Sequence, residues 1–315
     1  MSSTEKFIRE GEEIDEKYKF VPPLLEEEGK IIGSLKTVTD IYLSSWGSLE
    51  LEGNEGIKEK IRENILRVEK YNNDKKYKNW AEKFGISVPE LKKQLQDKVE
   101  FMVDKADFFR ATSMAVISDV MINDGRWKSQ FETGTSNGSL DPGYRSEVES
   151  IMFGIPNDKV WNKRSRPIYG YFTDGRNGEI SYTGEIPPPS NLSNYGVINV
   201  KIKREVAMKR STITFSDSLY KSDYMTPTPA SRPHFTSFYG LGSEPLSEVN
   251  SSKKTNWGSG YTEVQFHGGL TMEDVESIHI SENNGMTPED MQKVRDLFDK
   301  YKELHPESQI KLIEY

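Results

Sequence analysis

The sequence predicts an α+β protein with a helical N-terminal region over residues 1–120 and a β-rich domain over residues 121–315. Three observations support this prediction. Up to about Asp124 the chain has long charged stretches with apolar residues every three or four positions, which is typical of amphipathic helices. Beyond Gly125 glycine, proline, serine and threonine increase while charge falls. The later segments alternate apolar and polar residues between turn-forming residues, as strands do.

Composition excludes several classes of function. Of the 315 residues 34% are hydrophobic and 29% charged, so the chain is expected to fold with a very polar surface. Its net charge of −8 argues against nucleic acid or an anionic membrane as a partner. There is no cysteine, and the four histidines form no closely spaced pair, so we expect no metal site.

The N-terminal sequence MSSTEKFIREGEE lacks the apolar core of a secretory signal peptide. No run of about 18 apolar residues, the length that a membrane-spanning helix needs, occurs in the sequence. We therefore expect a soluble protein made in the cytoplasm.

Two helices in the N-terminal region are predicted from periodicity. The first, over residues 56–71, has an apolar stripe among lysines and glutamates. The second begins after Ser87 as the N-cap, with a proline and a glutamate in its first turn. Its apolar period runs on to Ile117, as one long helix or as a helix pair. Their charged faces are explained by solvent exposure or by recognition of a target protein. The stripe of the first helix comprises Ile57, Ile61, Ile65, Leu66 and Val68.

In the β-rich domain, strands are predicted from alternation and from flanking turn residues. A helix over residues 144–152 interrupts them, and Thr287 caps an amphipathic helix that ends at Leu304. The predicted strands cover residues 127–131, 167–172, 195–202, 211–215, 261–267 and 310–314.

The segment 257–268, WGSGYTEVQFHG, combines a glycine- and serine-rich loop with a short strand. Alternation places Val264 and Phe266 on one face, and Glu263, Gln265 and His267 on the other. A carboxylate at the junction of a loop and a strand is a candidate for chemistry, whereas the simpler explanation is a sheet with one solvated face.

Three polar segments follow in order: a cation pair at Arg126 and Lys128, a hydroxyl-rich strand at residues 211–218, and Glu263. This order resembles the Arg, Ser/Thr, Glu triad of the mono-ADP-ribosyltransferase toxins and effectors. Four strings, SQFETGTSNG, RPIYG, YGVINVKIKREVAMKRSTITFSDS and YTEVQFHG, also resemble a bacterial family of uncharacterised proteins related to those enzymes. The resemblance implies a split, mixed β-sheet for residues 121–315 and NAD as co-substrate without a metal.

The resemblance also implies roles for individual residues. Breaking the bond between nicotinamide and ribose passes through an oxocarbenium-like centre, which Glu263 would stabilise. The Arg126 guanidinium would hold the pyrophosphate, with Lys128 on the same strand face. The hydroxyl of Thr214, or of Thr212 on the same face, would orient Glu263 and the ribose. An ordinary surface cation and ordinary strand-forming threonines are the simpler explanations.

Further contacts are predicted around this triad. The glycines of SQFETGTSNG permit close backbone approach to a phosphate, so Thr133 and Ser136 are predicted to contact the cofactor. Ser216 is predicted to bind the cofactor too, and Tyr169 to stack on nicotinamide. The substrate-recognition candidates, in and next to the glycine-rich loop, are Trp257 and Tyr261.

The sequence therefore predicts an NAD-dependent mono-ADP-ribosyltransferase that modifies a protein side chain, with arginine as the acceptor to test first. The resemblance to effectors adds delivery into a host cell by a dedicated secretion system. The alternatives are an NAD glycohydrolase, which needs no acceptor, and a non-catalytic binding or phage-structural protein. The acceptor and the oligomeric state are not determined by the sequence.

Overall fold

The computed structural model describes residues 55–72, 76–104, 106–134, 142–155, 166–173, 195–214, 218, 226–237 and 262–315. Helices and a mixed sheet both occur among them, so the predicted α+β class is confirmed. The helices are α1 (Glu55–Asn72), α2 (Lys78–Phe84), α3 (Val88–Asp104), α4 (Met114–Asp119), α5 (Gln130–Thr133), α6 (Pro142–Phe153), α7 (Arg204–Arg210) and α8 (Pro288–Leu304). In the part of the chain that these ranges cover, no helix has both the length and the apolar character to cross a bilayer.

The strands form an eight-stranded sheet in the order β10-β9-β4-β1-β3-β7-β5-β6, with a separate pair β2-β8. β10 runs parallel to β9, and the other neighbours in the large sheet are antiparallel. The strands are β1 (Asp107–Thr112), β2 (Arg126–Trp127), β3 (Ile168–Thr173), β4 (Ile198–Ile202), β5 (Ser211–Thr214), β6 (Thr228–Pro229), β7 (Thr262–Phe266), β8 (Leu270–Thr271), β9 (Val275–Ile280) and β10 (Lys311–Glu314).

The predicted amphipathic helices are present at both ends of the described chain. Four of the five stripe residues of α1 are buried, and Leu66 is the exception at 46% exposed. Thr287 caps α8 by accepting a hydrogen bond from the backbone N–H of Asp290, and the helix ends at Leu304 as predicted.

The prediction that the helical period continues through Phe108 and Phe109 is wrong, whereas the predicted helical character of residues 114–117 agrees with α4. α3 ends at Asp104, and residues 107–112 form β1 between β3 and β4. Phe108 joins the main hydrophobic core, while Phe109 packs with Tyr171 on the opposite face of the sheet. A strand buried on both faces loses its alternation, and its adjacent aromatics then fit a helical period.

The predicted strand over residues 127–131 is also wrong for most of its length. Only Arg126 and Trp127 pair, with Thr271 and Leu270 of β8. α5 then begins, because Ser129 and Glu132 form a capping box in which each satisfies a backbone N–H at the helix start. The other predicted strands correspond to β3, β4, β5, β7 and β10, whereas β1, β6, β8 and β9 were not predicted.

One face of the large sheet is apolar, whereas the opposite face is polar along β7 and carries a smaller apolar cluster around Phe109 and Tyr171. Val264 and Phe266 lie in the main core, which also contains Leu95 of α3 and Val294 of α8. Glu263 and Gln265 occupy the opposite face, so the predicted alternation of β7 is confirmed. Burial of the apolar face against helices therefore presents a row of polar side chains on the other face.

Gly170 on β3 is required by close packing between strands. A Cβ atom there would lie 2.3 Å from the carbonyl oxygen of Phe109 and 2.8 Å from the ring of Phe266. We expect Gly170→Ala to lower the free energy of unfolding by about 1–3 kcal/mol, the usual cost of overpacking. Urea denaturation measures the change in the free energy of unfolding.

Gly285→Ala is the control: a Cβ there meets no atom within 4 Å, so only its left-handed backbone, at φ +85°, is penalised. An equal or smaller loss for Gly170→Ala would contradict the packing argument.

Candidate functional site

A cavity of about 320 Å³ lies between β1, β3 and β7 of the large sheet and the segments α4, β2, α5 and α6. This volume is at the lower end of the range for small-molecule sites. The wall carries two carboxylates, four cations and aromatic rings. The charged residues among them include Glu263, Arg110, Arg126, Lys128, Arg145 and Asp119.

Glu263 is held rigidly on β7. It is 2% exposed and lies opposite Tyr171 on β3 and Thr214 on β5. The Gln265 Nε2 donates a hydrogen bond to Glu263 Oε1 over 2.7 Å, and the Ser218 Oγ donates to the same oxygen over 2.5 Å. Donors aimed at a carboxylate favour its charged form and fix its rotamer.

The two threonines predicted to orient Glu263 lie on β5, the strand paired with β7. Thr214 accepts a hydrogen bond from Gln265 Nε2 over 3.1 Å, and Thr212 donates to Gln265 Oε1 over 2.8 Å. Both threonines are fully buried, and neither lines the cavity. Gln265, a residue to which the sequence interpretation assigned no role, forms hydrogen bonds with both threonines and with Glu263.

The predicted cations Arg126 and Lys128 both line the cavity. Arg126 Nη2 lies 2.9 Å from Glu132 Oε1, and Lys128 Nζ lies 2.9 Å from Asp119 Oδ2. Burial would raise the pKa of Glu132, but hydrogen bonds from Arg126 and the Ser129 backbone outweigh it and lower that pKa. Each cation thus has an ionised carboxylate beside it.

Arg110 on β1 is a cavity residue that the sequence interpretation missed. Its Nη1 donates to the Tyr169 carbonyl oxygen, and its buried Nε has no hydrogen-bond partner among the described residues. Burial lowers the Arg110 pKa to about 10, which still leaves the guanidinium charged at neutral pH. The sequence signal for Arg110 was a single arginine within the apolar string FFRAT. It was missed because this segment was interpreted as part of a helix.

Arg145 on α6 is a second missed residue. Its guanidinium carbon lies 4.1 Å from the centroid of the Tyr169 ring, and its Nη1 donates to Ser218 Oγ over 3.2 Å. Ser218 in turn contacts Glu263, so α6 and β7 are joined through one hydroxyl. Arg145 is 4% exposed, so its charge is placed within the protein rather than in solvent.

Tyr169, predicted to stack on nicotinamide, lines the cavity with the Arg145 guanidinium over its ring. The Tyr169 hydroxyl donates to Glu149 Oε1 over 2.9 Å. Burial, and then the negative charge of Glu149, raise the Tyr169 pKa, so the phenol stays protonated. The ring is a fixed aromatic wall of the site.

The remaining predicted contacts divide into two groups. Thr133 lines the cavity together with Ser129 and Gln130. Four predicted residues lie outside the described residues: Ser136, Ser216, Trp257 and Tyr261. Across the described ranges, no cluster of three or more histidine, aspartate or glutamate side chains could hold a metal ion.

Comparison with known proteins gives relatives whose function is not stated. Residues 100–227 match a family described as "Protein of unknown function (DUF3626)". That match contains Arg110, Arg126 and Thr214 but ends before Glu263. The chain is 26% identical over 202 residues to the Gene 2 protein of Mycobacterium phage D29, covering 60% of this chain and 69% of the phage protein. It is 30% identical over 173 residues to the Gene 2 protein of Mycobacterium phage L5, covering 50% and 59% respectively.

Proposed function

We propose that the protein is an NAD-dependent mono-ADP-ribosyltransferase that uses NAD as co-substrate and a protein side chain as acceptor. The observation that carries the proposal is that Glu263 lines the same cavity as Arg110, Arg126 and Lys128. A carboxylate for a cationic centre and cations for a pyrophosphate are the two groups that cleavage of NAD requires at one site.

The negative charge of the Glu263 carboxylate would stabilise the cationic ribose that forms when NAD is cleaved. The bond between the nicotinamide nitrogen and ribose C1′ breaks, its electron pair leaves with nicotinamide, and positive charge develops on the ribose. The Glu263 carboxylate stabilises that charge and accepts a hydrogen bond from a ribose hydroxyl. A nucleophilic side chain of the acceptor then bonds to C1′ and loses its proton.

The cations in the cavity wall suit the pyrophosphate. Arg110 has a buried Nε without an acceptor, and a phosphate oxygen would supply one. To bind phosphate oxygens, Arg126 would give up its ion pair with Glu132. Lys128 would likewise give up its ion pair with Asp119.

The identity of the acceptor stays a prediction, with arginine tested first. Trp257 and Tyr261, assigned to substrate recognition, lie outside the described residues. Delivery into a host cell also stays a prediction. If water replaces the protein acceptor, the same site acts as an NAD glycohydrolase.

The proposal is tested by incubating the protein with labelled NAD, with and without a cell lysate. Transfer of label to protein supports the transferase, and release of nicotinamide without lysate, measured by HPLC, supports the glycohydrolase. Absence of both, together with no rise in melting temperature on adding NAD, would reject the site. That last outcome favours a non-catalytic binding protein.

Arg110 and Arg126 can be compared directly as the anion contact. We expect Arg110→Gln to weaken NAD binding about 10- to 100-fold, because each charge-assisted hydrogen bond contributes roughly 1.5–3 kcal/mol. Arg126→Gln should weaken binding less, since Arg126 gives up its contact with Glu132 to bind phosphate. Isothermal titration with NAD measures both, with the partly exposed Arg204→Gln as the control. A larger loss for Arg126→Gln would restore Arg126 as the main anchor.

A further inference from the structure

We infer that His267 is a positioning residue: it fixes the direction of a hydrogen-bond chain through Thr212 and Gln265 that ends on the Glu263 carboxylate. The inference concerns how this carboxylate is held. Its consequence for turnover rests on the function proposed above.

The chain is continuous and buried. His267 Nε2 lies 3.0 Å from Thr212 Oγ1, which lies 2.8 Å from Gln265 Oε1, and Gln265 Nε2 lies 2.7 Å from Glu263 Oε1. The exposed fraction of these four side chains is 2% or less. Because Thr212 and Gln265 are fully buried, the protons of their hydrogen bonds must be supplied by members of the chain.

The carboxylate end imposes one orientation on Gln265. An ionised Glu263 only accepts hydrogen bonds, so Gln265 must present its NH₂ group. Its Oε1 then points at Thr212 and needs a donor there. The single hydroxyl proton of Thr212 fills that need, so Thr212 cannot also donate to the imidazole. His267 must therefore donate from Nε2 and leave Nδ1 bare.

The surroundings of His267 agree with this tautomer. Its buried Nδ1 has no hydrogen-bond partner among the described residues. Burial lowers the His267 pKa to about 3, so the ring is neutral at physiological pH. The edge-to-face contact with Phe153, with ring centroids 5.0 Å apart, and the 2.7 Å bond from the His267 backbone N–H to the Arg210 carbonyl oxygen fix the ring.

The opposite tautomer would reverse the chain. If Nε2 accepted from Thr212, Gln265 would have to turn its NH₂ group towards Thr212. Its carbonyl oxygen would then face the Glu263 carboxylate, placing two acceptors against each other without a proton between them. The His267 tautomer thus determines whether Gln265 adds a second donor, beside Ser218, at Glu263 Oε1.

A matched pair of variants tests the coupling without any NAD chemistry. His267→Gln keeps an N–H donor near the position of Nε2, whereas His267→Met has a similar shape and no donor. In protein labelled with ¹⁵N at glutamine side chains, the Gln265 amide is assigned by its absence in Gln265→Met. We expect this amide resonance to shift in His267→Met and in Glu263→Gln, and to keep its wild-type position in His267→Gln. An unchanged Gln265 amide in His267→Met would overturn the inference.

The tautomer is measured separately in protein labelled with ¹⁵N at its four histidines. Long-range ¹H–¹⁵N correlation should show a neutral His267 protonated at Nε2, and an Nδ1–H or charged ring at pH 7 would overturn the inference. Thr212→Val breaks the chain one bond further along and should reproduce the Gln265 shift. It therefore keeps the test decisive should His267→Met fail to fold.

The kinetic measurement then connects the chain to turnover. We expect His267→Met to lower the kcat for NAD cleavage about 10- to 100-fold at unchanged KM, as small displacements of reacting groups do, with recovery in His267→Gln. Equal kcat values for wild type and His267→Met would show that the chain does not position Glu263. If the wild type cleaves no NAD, the proposed function fails while the two NMR measurements still decide the chain.

Discussion

Replacing Glu263 by glutamine is expected to lower the rate of nicotinamide release by about 10²–10³-fold, the usual effect of removing a group that stabilises transition-state charge. Glutamine keeps the shape of the side chain but has no negative charge to oppose the developing positive charge on ribose. Its amide would also place N–H groups against the donors Gln265 and Ser218. Because the cations that bind pyrophosphate are untouched, the affinity for NAD should change little.

This prediction is checked by initial rates at saturating NAD, with NAD affinity measured on the same preparations. Glu276→Gln is the matched control, because that glutamate lies on β9 with 46% of its side chain exposed and pairs with Lys201. The control should retain wild-type rates. A Glu263→Gln protein that is folded, binds NAD and releases nicotinamide at the wild-type rate would remove Glu263 from the mechanism.

Replacing Glu149 by glutamine is expected to lower the free energy of unfolding by about 3–5 kcal/mol, the cost of leaving a buried charge without its partner. Glu149 Oε2 lies 2.5 Å from Arg166 Nη1, and the two side chains are 1% and 2% exposed. The other carboxylate oxygen accepts from the Tyr169 hydroxyl over 2.9 Å. The change therefore weakens the support of a cavity wall as well as the ion pair.

Urea denaturation measures this loss, and the control is an ion pair in solvent. Glu289 pairs with Lys293 one turn along α8, with 81% of its side chain exposed. Glu289→Gln should cost no more than about 0.5 kcal/mol. The double variant Glu149→Leu with Arg166→Met, which removes both charges, should recover much of the stability. A loss in Glu149→Gln as small as in the control would mean that the buried pair contributes little.

The sequence predicted those elements whose pattern survives burial. α1 and α8 keep one polar face, and β7, although buried on both faces, alternates the apolar Val264 and Phe266 with polar residues, so period and alternation remained visible. β1 and β9 are buried on both faces and lack that contrast. β9 also carries Ser277 and His279, which are buried and bonded to each other over 2.7 Å. Because these two polar residues interrupt β9, its sequence contains no apolar run that would indicate a buried strand.

The sequence patterns also predicted only some of the residues that line the cavity. Glu263, Arg126 and Lys128 were proposed because short strings containing them resemble a known triad. Arg110 and Arg145 belong to no such string, and tertiary packing alone brings them to the cavity. Gln265 was placed on the correct face, but its role depends on partners in β5 that only the strand register identifies.

Different parts of the cavity wall should differ in their resistance to local opening, because β7 lies between β3 and β5 in the large sheet. Backbone bonds on both sides hold Glu263, so its exposure requires disruption of the central sheet. Arg126 instead belongs to a two-residue strand paired only with β8 in the small sheet, next to the one-turn helix α5. Amide exchange should therefore be fast around Arg126 and slow along β7 and along β1, where Arg110 lies between β3 and β4. Mild denaturant would then loosen the Arg126 contact while Arg110 and the carboxylate remain in place.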